Sequence, residues 1–257
     1  MSQGISTAFI QEKSTTNTLT HAEYAIAKQL ALGARALHVE QHDDYNQGQV
    51  SARAPGCDTH FLIKQVLAGF DETTPADIIK ATYDPSGAKH TLAPPELPIH
   101  QAIYARRSDV NAIVHTHGMY SVCFGALGIE LDAISHDGAW FEDNTNFFDL
   151  TSHTIMDMDT GNALAEALGD KDVLFMRNHG TVVVGKTVKE AILKMISLEK
   201  ACHTQLTLLA THLPYSVANK QDIEKKKQFI FGQMALKGFW DYICRGVNRR
   251  FPETKEW

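Results

Sequence analysis

The sequence predicts an α/β protein in which helices cover a layered β-sheet. Helical and strand-like segments alternate along the chain, which favours a layered sheet over an all-helical or all-β fold. Several strand-like segments follow one another through short turns, and such hairpins argue against an all-parallel, doubly wound sheet. The 257 residues contain no internal repeat, low-complexity tract or long linker. We therefore expect a single domain over residues 1–257, with a core at about 20–210 and a helical C-terminal extension at about 219–257.

The starts of two helices are marked by residues that cap free backbone amides. Thr20 and Glu23 form a capping box ahead of the first apolar helical stretch, and Thr187 and Glu190 form a second one ahead of a long helix. Two further helices are predicted over "PPELPIHQAIYARR" and "GNALAEALG". The prolines of the former precede the helix or fall in its first turn, where proline is tolerated.

Strands are predicted where apolar, β-prone residues are bounded by turn residues. The segments are "HFLIKQVLAGF", "DIIKATYD", "NAIVHTHG" and "DVLFMRNHGTVVVG". The last segment contains two strands that are interrupted at "NHG", and "DPSG" after the second segment predicts a turn. The polar stretch "EQHDDYNQGQVSARAPG" is predicted to be a loop, because its glycines and asparagine suit turns.

The composition excludes several functional classes. A formal net charge of −6 argues against binding to a nucleic-acid backbone, since proteins that bind it are basic. No apolar run reaches the length of a membrane span, and the N-terminal stretch "MSQGISTAFIQEKSTTNT" lacks the basic start and apolar core of a signal peptide. The four cysteines are scattered without a CxxC pair, which is typical of reduced thiols. We expect a cytoplasmic protein that binds neither nucleic acid nor membrane.

Two histidines close the strand in "NAIVHTHG". Residues i and i+2 of a strand point to the same face, so His115 and His117 project together and Thr116 points the opposite way. Two imidazoles placed in this way can share a metal ion, and a third ligand from elsewhere would leave room for a substrate. The pair alone is a weak indication, because 13 histidines in 257 residues produce such a spacing by chance in roughly one such sequence in two.

Other residues are candidates for the same site. His179 lies at the break between two predicted strands, where its side chain can turn into a shared cleft. Glu96 and His100 are four residues apart on a predicted helix and therefore lie on one face. This helix ends shortly before the strand with His115 and His117, so three histidines and one carboxylate can converge from three elements. We interpret His100 as a packing or supporting residue rather than a ligand.

Several segments together carry a family resemblance. They are "PPELPIHQAIYARRSDVNAIVHTHG", "LFMRNHGTVVVGKTVKEA", "LEKACHTQL" and, more loosely, "NQGQVSARAPG". In this combination and order the chain resembles the class II aldolase/adducin family, which contains fuculose-phosphate aldolase and ribulose-phosphate 4-epimerase. The resemblance implies a three-layer α/β/α sandwich around a central, mostly antiparallel β-sheet. It also implies a homo-oligomer, often a tetramer, with active sites at subunit interfaces.

The resemblance implies roles for the candidate site residues. His115 and His117 match the two metal ligands of the family's HxH motif, and His179 matches the third histidine, in its NHG motif. Glu96 matches the carboxylate that serves as the acid/base and is able to ligate the metal in the empty enzyme. The expected cofactor is a divalent metal ion, namely zinc, manganese or iron, because imidazole ligands suit all three.

The chain departs from the sugar-phosphate members of the family where these bind phosphate. Those members have a serine pair before the catalytic carboxylate, and here Pro94 and Pro95 offer neither a hydroxyl nor an amide N–H. Those members also have Gly-Asn in the early loop, where this chain has Gly48 and Gln49, and a Thr-Gly turn for which we find no counterpart. We therefore expect a substrate that is not a sugar phosphate. "HFLIKQ" and "LEKACHTQL" are closer to the adducin-like and decarboxylase-like branch.

Three residues are candidates for binding the substrate. Arg53 and Lys64 are basic residues that could hold a second carboxylate, and His136 follows the metal-binding strand in "SHDGAWF". A structural or surface role is the alternative for each of them.

The leading hypothesis is a metal-dependent carbon–carbon lyase, either a decarboxylase or an aldolase. Its partner would be a small non-phosphorylated hydroxy- or keto-acid, aromatic acids included. An iron-dependent oxygenase with the same three histidines is one alternative. A sugar-phosphate aldolase or epimerase is another, provided that backbone amides replace the missing phosphate contacts. A non-catalytic, adducin-like interaction domain is the third, and it predicts degraded metal ligands.

Overall fold

The structure is a computed structural model that describes residues 18–257. The prediction that no signal peptide is present concerns the first residues and so lies mostly outside this range. The described strands are β1 (Gln49–Arg53), β2 (His60–Lys64), β3 (Ile78–Thr82), β4 (Ala112–Thr116), β5 (Thr145–Phe148), β6 (Val173–Met176) and β7 (Gly180–Gly185). They form one sheet in the order β3-β2-β1-β4-β7-β6-β5. Only the β5–β6 pair is parallel, and every other neighbouring pair is antiparallel.

Helices cover both faces of this sheet. The described α-helices are α1 (His21–Val39), α2 (Leu97–Arg106), α3 (Met119–Leu127), α4 (His136–Trp140), α5 (Met158–Leu168), α6 (Val188–Leu209), α7 (Lys220–Ile230) and α8 (Gln233–Arg250). Short 3-10 helices span Pro75–Asp77 and Pro252–Glu256. Between residues 18 and 257, no helix combines the length and the apolar character that a membrane span requires.

Alternating strand residues pack into two separate cores. In β4, Ala112 and Val114 belong to the core that also contains residues of α1, α3, α6 and α8. Ile113, which lies between them in the chain, belongs to the core formed with α2 and α5. Successive residues of a strand point to opposite faces, so these two cores lie on the two sides of the sheet. The fold is a three-layer α/β/α sandwich with a mostly antiparallel sheet, which confirms the predicted fold class.

The helix-capping predictions differ in outcome. At α1, Glu23 N donates to Thr20 Oγ1 and Thr20 N donates to Glu23 Oε2, so this capping box is confirmed. At α6, Glu190 N donates to Thr187 Oγ1, but Glu190 Oε2 accepts from the amide of Lys186, one residue before the cap. The second box is therefore only half formed.

The prediction of a continuous loop before the first strand was wrong. Residues 49–53 form β1, which lies between β2 and β4 near the centre of the sheet. Its polar residues misled the prediction, because their partners are distant in sequence. Ser51 Oγ, for example, lies 2.7 Å from His100 Nδ1 and 2.9 Å from the hydroxyl of Tyr104. The short elements α3, α4 and β5 were not predicted either. The C-terminal region forms α7 and α8, and the single-domain organisation stays a prediction.

Candidate metal centre

The three predicted histidine ligands and the predicted acid/base, Glu96, lie together at one end of the central strands β4 and β7. His115 lies in β4, and His117 is the first residue after Thr116, where this strand ends. His179 directly precedes β7, which pairs antiparallel with β4, so the end of one strand lies beside the start of the other. Glu96 directly precedes α2. One ligand atom from each of the four lies within 4.8 Å of all the others.

The side chains along β4 point in the directions that their spacing predicted. His117 Nε2 lies 3.2 Å from His115 Nε2, so the two rings share a face. Thr116 points into the opposite layer, where its hydroxyl donates to Met195 Sδ of α6 at 3.3 Å. The strand period therefore aims both imidazoles towards the layer that contains Glu96.

The sequence predicted that Glu96 and His100 lie on one face of a helix, and the structure differs from this prediction. Glu96 is the cap residue of α2, with φ −86° and ψ 23°, so its side chain precedes the helical repeat. His100 lies inside the helix, is fully buried and forms its hydrogen bond with Ser51. The helix starts later than predicted, and the four-residue spacing therefore does not place these two side chains together.

The carboxylate of Glu96 lies between two of the imidazoles. Its Oε2 lies 3.2 Å from His115 Nε2, and its Oε1 lies 3.2 Å from His179 Nε2. With the contact between His115 and His117, the three Nε2 atoms and the carboxylate face a common point. Three imidazole nitrogens and one carboxylate are a ligand set that zinc, iron and manganese accept.

Two of the imidazoles are oriented through their other ring nitrogen. His115 Nδ1 lies 3.1 Å from the carbonyl oxygen of Thr181, and His117 Nδ1 lies 2.7 Å from Asp44 Oδ2. Because a carbonyl and a carboxylate only accept hydrogen bonds, Nδ1 is the donor in both rings, and Nε2 is the nitrogen that each ring presents to the cluster as a metal ligand. His179 Nδ1 is buried without a hydrogen-bond partner among the described residues.

The charges favour the protonation states that metal binding needs. Burial opposes ionisation of Glu96, but the charges and hydrogen bonds of His115 and His179 outweigh it and hold the pKa of this carboxyl well below its usual range. Burial and the neighbouring His115 lower the pKa of His117, against the opposing effect of Asp44. Both shifts favour the forms of Glu96 and His117 that bind a cation, namely the ionised carboxylate and the neutral imidazole.

Three residues that support the cluster were missed by the sequence reasoning. Asp44 comes from the polar loop before β1, and Gln49 of β1 donates its amide to Glu96 Oε2 at 3.2 Å. A Cβ added at Gly180 would lie 2.6 Å from His117 Cδ2, so only glycine fits against these rings. The glycine of "NHG" could have indicated such a close approach, since a strand glycine often marks one. Nothing in the sequence indicated Asp44.

The structure does not bring two of the predicted substrate-binding residues to the cluster. Arg53 lies at the opposite end of β1 from Gln49, about 13 Å away at the rise of a strand. Its guanidinium donates to the backbone carbonyls of Val110, Tyr104 and Arg107. These contacts favour a structural role for Arg53, and its contact with a substrate stays a prediction.

The ammonium group of Lys64 also forms its hydrogen bonds within the protein. The lysine is buried, and its ammonium donates to the carbonyl oxygens of Asn46, Gln65 and Ala68. These contacts use all three donors of an ammonium group, so none is left for a substrate. Burial also lowers the pKa of Lys64 to about 8. His136 opens α4 and lines a separate cavity with Trp140, and its substrate contact stays a prediction.

Comparison with known proteins places this chain in a family. Residues 28–206 match the family described as Class II Aldolase and Adducin N-terminal domain. The chain is 27% identical over 241 residues to a putative aldolase class 2 protein of Caulobacter vibrioides. The aligned residues are 91% of this chain and 93% of that protein. It is 30% identical over 152 residues to decarboxylase NovR of Streptomyces niveus, covering 58% of this chain and 56% of that protein.

A solved structure agrees with this assignment. The aldolase II superfamily protein from Pseudomonas syringae superposes with a TM-score of 0.78 at 27% identity, covering 90% of this chain and 95% of that one. The family match spans well over half of the residues, and the fold agrees along nearly the whole described chain. This protein belongs to the class II aldolase/adducin family.

Proposed function

We propose that this protein is a metal-dependent carbon–carbon lyase, a decarboxylase or an aldolase, that acts on a small non-phosphorylated hydroxy- or keto-acid. The observation that carries the proposal is the convergence of Glu96, His115, His117 and His179 within 4.8 Å. Class II aldolases use divalent metal ions, and this ligand set suits zinc, manganese or iron.

The three histidines would hold the ion. Imidazole nitrogens would leave its charge largely intact, and the ion would supply a Lewis acid that stabilises negative charge on the substrate during carbon–carbon cleavage. Thr181 and Asp44 keep the rings of His115 and His117 oriented, so the ligand nitrogens need no reorganisation when substrate binds.

Glu96 is the proposed acid/base. It is ionised in the free protein, because its pKa lies well below the usual range, and it therefore starts as a proton acceptor. Gln49 Nε2 donates to one of its oxygens at 3.2 Å, and the amide of Ile155 donates to the other at 3.3 Å. These contacts hold the carboxylate beside the imidazole nitrogens, where it would take a proton from a substrate bound there.

Two contacts support a substrate without phosphate. One N–H of the Gln49 amide donates to Glu96, and Pro94 is buried and has no N–H to donate. A phosphate in this region would meet few free donors. The relative named a decarboxylase supports cleavage of a carboxylate from the substrate as the first reaction to test.

The decisive experiment combines elemental analysis of the purified protein with a panel of hydroxy- and keto-acids. We expect about one divalent ion per chain and release of carbon dioxide or an aldehyde from at least one acid, both lost in His117→Ala. Consumption of oxygen with iron, but not with zinc or manganese, would indicate the oxygenase instead. Turnover restricted to sugar phosphates would indicate the sugar-phosphate reaction. A protein that binds no metal would indicate a non-catalytic, adducin-like role.

A cytoplasmic homotetramer is part of the same proposal. It is supported by the family resemblance, in which active sites lie at subunit interfaces. Light scattering on the purified protein tests it through the molar mass, for which we expect about four times the 28.5 kDa of one chain.

A further inference from the structure

Three titratable side chains contact one another in series at the end of the sheet opposite the metal centre. They belong to Cys57, His60 and Glu23. Cys57 Sγ lies 3.1 Å from His60 Nδ1, and His60 Nε2 lies 2.6 Å from Glu23 Oε1. His60 starts β2 and pairs with Thr82, whereas the metal centre lies at the end of β1 that contains Gln49. These three residues are therefore separate from the candidate metal ligands.

Glu23 is the ionised hydrogen-bond acceptor of these three residues. Its side chain is only 4% exposed and also lies 3.1 Å from Lys80 Nζ. Burial opposes ionisation, but hydrogen bonds from Thr20, His60 and Lys80 outweigh it and lower the pKa of Glu23 to about 2. A carboxylate can only accept, so His60 Nε2 donates to it and His60 Nδ1 is left as an acceptor, 3.1 Å from the thiol and 3.3 Å from Thr59 Oγ1. The geometry is that of a nucleophile, a base and a group that orients the base.

The thiol of Cys57 is accessible. Its neighbours Gly56 and Asp58 are exposed, and Cys57 lines a cavity of about 790 Å³ that also receives Lys186. Hydrogen bonds with Thr59 lower the pKa of the thiol, more than partial burial and the charge of Asp58 raise it. Cys57 is half-buried, and a thiol that borders a cavity with a histidine base beside it has the features of a reactive cysteine.

We propose that Cys57 is a second reactive site in this protein, a nucleophilic thiol that exchanges with low-molecular-weight disulfides in the adjoining cavity. His60 removes the thiol proton, and Glu23 positions His60. The thiolate attacks one sulfur of the disulfide, so a new Sγ–S bond forms as the old S–S bond breaks. The leaving thiolate takes the proton from His60. Cys57 is oxidised to a mixed disulfide, and half of the incoming disulfide is reduced to a thiol.

The test uses the full-length protein, reduced and freed of reductant, with oxidised glutathione as the probe. Peptide mass mapping over time gives the rate of glutathione addition at each cysteine. Cys123 is exposed on α3 and serves as the reference thiol within the same molecule. We expect Cys57 to react about three- to tenfold faster than Cys123 at pH 7, with a rate that rises at lower pH than that of Cys123.

The variant His60→Gln removes the proposed base but leaves the cavity beside Cys57. It should remove the advantage of Cys57 and move its pH–rate profile upwards, whereas His153→Gln, at an exposed histidine, should change neither. Circular dichroism checks that both variants fold. If His60→Gln does not fold, the comparison of Cys57 with Cys123 in the unmodified protein decides alone. Equal or slower reaction of Cys57, or a folded His60→Gln protein with an unchanged profile, would overturn the proposal.

Discussion

His117 Nδ1 lies 2.7 Å from Asp44 Oδ2, and this contact joins the loop before β1 to the end of β4. The two residues are 73 positions apart in the sequence. The carboxylate accepts a hydrogen bond from Nδ1–H, so Nε2 points to the other residues of the cluster. A carboxylate behind a ligating histidine raises the basicity of the ring and fixes its orientation. Asp44 is therefore part of the candidate metal centre, although it contributes no ligand atom to it.

Removing this carboxylate should weaken metal binding. We expect Asp44→Ala to lower the affinity for zinc by about 10- to 100-fold, because His117 loses the group that orients it. Competition with a chromophoric chelator measures the Kd. Asp43→Ala is the matched control, since Asp43 pairs with His38 at 2.8 Å rather than with a candidate ligand. Equal affinities of the two variants would remove Asp44 from the site.

Removing a ligand should have a larger effect. In His117→Ala or His179→Ala we expect loss of most of the bound metal, because two imidazoles and a carboxylate hold a divalent ion less firmly than the complete set. Elemental analysis after dialysis measures the occupancy. His203→Ala is the control, since His203 stacks on Tyr120 at 3.9 Å between ring centroids. Occupancy near that of the unmodified protein would contradict the ligand assignment.

Glu96 should matter more for turnover than for binding. Glu96→Gln keeps the shape of the side chain but cannot accept a proton, so we expect metal occupancy to be largely retained and turnover to fall by about 10²- to 10⁴-fold. The assay uses whichever acid the substrate panel identifies. Glu166→Gln is a suitable control, because Glu166 forms only an exposed contact with Arg106. Undiminished turnover in Glu96→Gln would take Glu96 out of the mechanism.

The glycine after His179 should be required for the geometry of the rings. A Cβ at Gly180 would lie 2.6 Å from His117 Cδ2 and 2.7 Å from the carbonyl oxygen of Thr116. We expect Gly180→Ala to displace the imidazole, to reduce metal occupancy and to destabilise the fold by about 1–3 kcal/mol. Gly238→Ala on α8 should be neutral or stabilising, since a Cβ there meets nothing within 4 Å. Denaturant unfolding and elemental analysis on both variants measure the two effects, and unchanged occupancy in Gly180→Ala would contradict this account.

Glu23 should stabilise the fold in a pH-dependent way. Its pKa in the folded protein is lowered to about 2, so its stabilising effect is complete above the ordinary pKa of about 4.5 and is lost as the pH falls towards 2. We expect Glu23→Gln to lower the free energy of unfolding by about 2 kcal/mol at pH 6, a difference that shrinks below pH 4.5. Urea unfolding at several pH values tests this. Asp241→Asn, at an exposed pair with Lys237, should show a much smaller change. A difference that stays constant down to pH 3 would contradict the assigned pKa.

The sequence by itself determined the elements that carry the three candidate histidine ligands. Apolar runs bounded by turn residues located β4, β6 and β7, and the two-residue period of a strand placed His115 and His117 on one face. The interruption at "NHG" located His179 at the start of β7. These inferences succeeded because strand periodicity and turn chemistry are local properties that a few neighbouring residues determine.

Only the tertiary structure decided which distant groups meet these ligands. The contact between Asp44 and His117 and the contact between Gln49 and Glu96 join residues far apart in the chain, and no local pattern encodes them. Strand β1 was missed for the same reason, since Ser51 is satisfied only once α2 packs against the sheet. Periodicity reports which way a side chain faces, whereas its partner depends on how separate elements pack, and that is fixed by burial and hydrogen bonding across the whole fold.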